Sequence, residues 1–91
     1  MSAALAETQE ELNEAQLSDA EMCRLGLAMS TGQGGQPLDY VSAHKWFNLA
    51  AMRGSLEARA YRAEVAQEMT SDEIAEAQRQ ARAWLLKHGV N

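Results

Sequence analysis

Few side chains in this sequence have the chemistry to act on a substrate: Cys23, His44, His88 and the carboxylates Glu73 and Glu76 with their neighbouring arginines. A thiol beside an imidazole could serve as nucleophile and base, but such a pair needs an orienting partner. No closely spaced Cys/His pair of the kind that holds a metal is present either. Cys23 therefore reads as a small buried or groove-lining residue. His44, next to Lys45, reads as a solvent-side residue of a helix, and His88 as a helix-end residue. Glu73 and Glu76 lie three or four residues from arginines, the spacing of surface salt bridges worth about 0.2–0.5 kcal/mol each. The run Gly32-Gln33-Gly34-Gly35 lacks the Gly-Lys-Ser/Thr of a phosphate-cradling loop and the strand that precedes a dinucleotide loop. Trp46 and Trp84 are large enough to anchor a partner, yet their helical registers point them inward. No catalytic residue, cofactor or metal ligand is expected, and the chain does not read as an enzyme.

The positions of these residues depend on helices. Alanine, leucine, glutamate and glutamine dominate the 91 residues, with one proline and few aromatic or β-branched residues, which favours helix over sheet. Thirteen acids face eight bases for a net charge of −5, and six of the acids (Glu7, Glu10, Glu11, Glu14, Asp19, Glu21) precede the first base, Arg24. An acidic chain without a basic stripe excludes a nucleic-acid-binding face. The acidic stretch is either a solvated helix or a tail that docks on a basic partner or on the chain's own arginines. No run of 18 apolar residues exists to span a membrane. The opening MSAALAETQEELNEAQ has neither a basic n-region nor a long apolar core, so it is not a secretory signal, and a cytoplasmic protein is expected if Met1 is the natural start. The single cysteine fits a reducing compartment.

Two helix starts are explicit. Ser18-x-x-Glu21 and Thr70-x-x-Glu73 are capping boxes, flanked by the staple pairs Leu17/Met22 and Met69/Ile74. From Ser18, Met22, Leu25, Gly26 and Met29 form one helical face, and Ala20, Cys23, Leu27 and Ser30 a second. A helix apolar on two sides packs between others or lines a groove. The segment from Gly32 to Pro37 is a loop. Asp39 caps a second helix with Tyr40, Ala43, Trp46, Phe47, Ala50 and Ala51 inward, ended by Gly54. Ser55 caps a third with Leu56, Ala58, Tyr61, Val65 and Met69 inward. A fourth runs from Ser71 to about Lys87 on a stripe of Ile74, Ala77, Ala81, Trp84 and Leu85, with Lys87 and His88 suiting its C-terminal dipole. Residues 3–15 form a further helix only on the thin support of Leu5 and Leu12.

The segment from Leu25 to Gly54 resembles the Sel-one-like repeat, a relative of the tetratricopeptide repeat. That family's pattern, L-G-x-x-Y-x-x-G-x-G-V, a spacer and D-Y-x-x-A-x-x-W-x-x-x-A-A-x-x-G, is matched at Leu25, Gly26, Gly32, Gly34, Asp39, Tyr40, Ala43, Trp46, Ala50, Ala51 and Gly54. Met29 replaces the usual tyrosine, Gly35 the valine, and the loop is one residue longer. In the repeat, Gly26 lets the two helices approach closely and Trp46 fills the space beside the alanines. The remainder does not repeat the motif: Arg62-Ala63 stand where Leu-Gly would recur. It looks like the closing helices of small bacterial repeat proteins of this type. The resemblance implies an all-α fold, an α-α superhelix of about four to five antiparallel helices. An acidic segment spans 1–17, a repeat pair 18–54 and a diverged capping pair 55–91. One repeat is short of the three or so that bury a solenoid core, so end helices, a second copy or a partner must complete it.

The resemblance also implies a role, that of a protein-binding adaptor. In this architecture the first helix of each pair lines the concave surface, which here comprises Ala20, Cys23, Leu27, Ser30 and Thr31 with Glu57, Ala60, Glu64 and Gln67. That surface either takes a peptide or helix from another protein or is covered by the N-terminal segment through Leu5 and Leu12. A self-associating unit, such as a homodimer, is the alternative, and a small hydrolase the more remote one, since a few repeat proteins of this family are linked to such activity.

Overall fold

Both capping boxes form. In the computed structural model, which describes residues 14–35 and 37–89, the Ser18 hydroxyl accepts the Glu21 amide at 3.1 Å while Glu21 accepts the Ser18 amide at 3.0 Å. Thr70 and Glu73 repeat the exchange at 3.1 and 2.8 Å. Asp39 and Ser55 cap the two helices between, accepting from Ser42 and Ala58. The described residues thus form four α-helices and no strand: α1 (Asp19–Thr31), α2 (Tyr40–Met52), α3 (Leu56–Ala66) and α4 (Ser71–His88). A 3-10 turn at Gln33–Gly35 follows α1, with Gly32 (φ 74°) and Gly34 (φ 65°) in the left-handed region that reverses the chain. The proposed helix over 3–15 lies outside the described residues except at its end, where Glu14 and Ala15 are helical.

The second helix is the hub. α1, α3 and α4 each pack on α2, and α1 touches α3 along a shorter stretch. Ala43, Trp46, Phe47, Leu49 and Ala50 are buried, so α2 is apolar nearly all round, as a helix enclosed by three others must be. Gly26 of α1 sits under Phe47: a Cβ there would lie 2.5 Å from the ring. The close approach expected of Gly26 is therefore real, and its partner is Phe47. Trp46 turns the other way and meets Trp84 of α4 edge to face at 6.1 Å. Met22, Ala58, Val65, Ala77 and Ala81 are buried as their stripes require.

Two positions depart from the sequence reading. His44 is buried, only 4% exposed, and not on the solvent side. It shares a stripe with Phe47 and Ala51, three and seven residues on, and the enclosure of α2 leaves that stripe no outer surface. Leu56 is 74% exposed and not inward. It lies about 200° around the helix from Ala58, and Ala58, Tyr61 and Val65 set the inward direction of α3.

The second helix pair does not copy the first. Arg62, at the place of the repeat leucine, reaches back to α2 and donates to Asn48 Oδ1 at 2.5 Å. Ala63, at the place of the glycine, is exposed, so no helix seats on it, and α4 packs on α2 instead.

Candidate functional site

The face formed by α1 and α3 carries two concavities that meet at Leu27. The first, a cleft of about 260 Å³, is floored by Leu27, Phe47, Tyr61 and Val65, with Tyr40 at one side. Phe47 and Tyr61 stack in it at 5.4 Å with 28° between the rings. Its rim is Ser30 and Thr31 from α1, Glu64 from α3 and Glu68 from the turn after α3. The second, of about 480 Å³, lies over Ala20, Cys23, Leu27 and Arg24 of α1 and Leu56 and Glu57 of α3.

Helical spacing explains the arrangement. Cys23, Leu27, Ser30 and Thr31 lie on one face of α1, and Glu57, Tyr61, Glu64 and Val65 follow the matching turns of α3, with Glu68 in the turn beyond it. The Ser30 and Thr31 hydroxyls both donate to the Leu27 carbonyl, at 3.2 and 2.7 Å. Their protons are spent within α1, and each oxygen offers the cleft lone pairs alone.

Of the nine residues expected on the concave face, Leu27, Ser30, Thr31 and Glu64 line the first concavity, and Ala20, Cys23, Leu27 and Glu57 the second. Ala60 on α3 and Gln67 just after it are exposed and line neither. The aromatic floor was missed as a feature of the site, because Tyr40, Phe47 and Tyr61 read simply as inward-facing core.

Cys23 shares no cavity with either histidine among the lining residues. Burial first, then the Glu57 and Asp19 carboxylates, push its thiol up from the ordinary range, which weakens it as a nucleophile. His44 is kept neutral by burial and by the Arg62 charge, and its Nδ1 has no hydrogen-bond partner among the described residues. Glu76 is held by Arg79 at 2.5 and 2.8 Å and by Gln80 at 2.9 Å, with its pKa lowered to about 2, while Glu73 is occupied in its capping box. Both carboxylates are thus engaged in local contacts at the N-terminal half of α4.

A second cluster joins the start of the described chain to α4. The Trp84 indole N–H donates to Glu14 Oε1 at 2.6 Å, and His88 Nε2 lies 3.5 Å from the same oxygen with its ring 4.6 Å from Trp84. Arg53 crosses the Trp84 face at 5.9 Å and donates to the Leu17 carbonyl. The Glu14 and Arg53 contacts hold residues 14–17 against the bundle, on the α2–α4 side, while His88 Nε2 is buried without a hydrogen-bond partner among the described residues. No residue of α4 lines either concavity. Among the described residues no group of three metal-ligating side chains converges, and no helix is long and apolar enough to cross a membrane.

Comparison with protein-family models, curated proteins and solved structures found no match to this chain.

Proposed function

We propose that this protein is a protein-binding module whose α1–α3 face receives a segment of another protein. The observation that carries the reading is the cleft between α1 and α3, an aromatic-floored depression open to solvent and continuous across Leu27 with a second depression. The first cleft measures about 260 Å³. It has the size for one or two side chains of a longer ligand, and the second depression accommodates the continuation.

The resemblance to the Sel-one-like repeat supports the same reading, since it implies a superhelix whose first helices face the ligand. Under that reading the module is a bacterial cytoplasmic adaptor and not an enzyme, with α3 and α4 as a diverged closing pair. Four exposed large apolar residues, Leu38, Met52, Leu56 and Leu86, favour a second reading in which copies of the chain associate through these side chains.

A selection of displayed random peptides against the full chain tests the leading reading. Binders are expected to lose at least tenfold in affinity to Leu27→Glu, a half-exposed site at which helical circular dichroism should be unchanged. Binders indifferent to Leu27→Glu would place the interaction elsewhere. Light scattering across a concentration series tests the second reading, which requires a dimer that grows with concentration and is lost in Leu86→Glu.

A further inference from the structure

The rim of the first cleft is rich in hydrogen-bond acceptors, with the Tyr40 and Tyr61 hydroxyls as donors beside them. Glu64 and Glu68 contribute carboxylates, and neither makes an ion pair among the described residues. Ser30 and Thr31 have already donated their protons to the Leu27 carbonyl, so toward the cleft they too can only accept. Beneath this rim lie the stacked rings of Phe47 and Tyr61. Acceptors above an aromatic floor complement a group that is cationic, rich in N–H donors and carried on an apolar stem.

We propose that the first cleft is the specificity pocket for a basic side chain, arginine above lysine, on the partner segment. This rests on the protein-binding reading. A guanidinium presents five donors in a plane, which suits both the half-buried Tyr61 ring and the divided set of acceptors better than a compact ammonium does. The rest of the segment runs along α1 into the second depression at Ala20 and Cys23. Seven residues separate Cys23 from Ser30, about 10 Å along the helix axis. The partner therefore carries an apolar residue two helical turns, or three to four extended residues, from its basic one.

Charge decides among the occupants. Residues 1–13 hold Glu7, Glu10 and Glu11 and no base, so they would bring like charge to Glu64 and Glu68. The chain also enters the described region at Glu14 on the α4 side, away from the cleft. A second copy of a chain with net charge −5 meets the same repulsion at long range. A basic segment of a different protein is drawn to it.

The test is the composition and charge dependence of displayed peptides selected on the full chain. Selected sequences should be enriched in arginine beside apolar residues. Fluorescence anisotropy should show affinity falling at least tenfold in the double variant Glu64→Gln, Glu68→Gln, falling with added salt, and falling less when the peptide arginine becomes lysine than when it becomes glutamine. Both glutamates are exposed, and unchanged circular dichroism excludes misfolding. Cleft binders without a basic residue, still sensitive to Leu27→Glu, would overturn the basic-pocket proposal and leave the protein-binding reading standing. Affinity unchanged by the double variant would also overturn it. So would a tenfold gain in peptide affinity in Leu5→Ser, Leu12→Ser, which would make the N-terminal segment the occupant. A dimer in light scattering abolished by the double variant would make a second copy the occupant, and overturn it equally.

Discussion

Gly26 and Phe47 meet where the bundle is tightest. A methyl group at position 26 would lie 2.5–2.9 Å from three ring carbons, and the ring, 1% exposed and stacked on Tyr61, has little room to retreat. Gly26→Ala is expected to cost about 1–3 kcal/mol through overpacking, more than the roughly 0.5–1 kcal/mol that alanine gains in a helix interior. Urea denaturation should therefore show a lower midpoint. His44 supplies a pH dependence. Burial and the Arg62 charge lower its pKa in the folded chain from the ordinary 6.5, so the unfolded chain binds the proton more readily. The stability this group contributes is present above pH 6.5 and declines as pH falls through and below that value. His44→Gln should flatten the slope of stability against pH in that interval, as thermal melts at pH 7.5 and 5.5 would record. An unchanged slope would place the imidazole in contact with water. The burial of His44 was hidden from sequence by its neighbour Lys45. The side chain of Lys45 itself lies over the Trp46 ring at 4.2 Å, so a basic neighbour was no sign of open solvent.

At the scale of elements, the helix boundaries were almost wholly legible. A capping box needs only residues three apart in sequence, so Ser18–Glu21 and Thr70–Glu73 could be read without knowing what the helices pack against. Thr70→Ala and Ser18→Ala should each lower stability by about 1 kcal/mol, with fraying confined to the first turn of α4 or α1 in amide exchange. The inward stripe of α4 was equally plain, and Trp84 on it touches Trp46, His88, Arg53 and Glu14. Trp84→Ala is expected to cost about 3–5 kcal/mol, enough to unfold a module of this size at physiological temperature. Less legible was which helix α4 joins. A second helical hairpin was the expectation, and the exposed Ala63 shows that α4 does not close on α3 there. The signal was present at Arg62-Ala63, because the Leu-Gly step that seats the partner helix in the first pair is missing in the second. The outward position of Leu56 was concealed by its place at the first turn, where a single apolar residue does not define a stripe.

For the whole molecule, the concave face was legible in part. Helical register placed Cys23, Leu27, Ser30 and Thr31 together on α1, and the structure keeps them together. The division into two depressions and the aromatic floor follow from how α2 inserts Phe47 between α1 and α3, which no local spacing encodes. Binding of another protein at the α1–α3 face is tested most directly by mapping. A peptide selected on the full chain is titrated into isotope-labelled protein, and backbone amide shifts are followed by nuclear magnetic resonance. The account predicts perturbations concentrated at Leu27, Thr31, Tyr61, Glu64, Val65 and Glu68, with the outer face of α4 around Leu86 unmoved. Perturbations centred on Leu86, or spread without a maximum between α1 and α3, would contradict it.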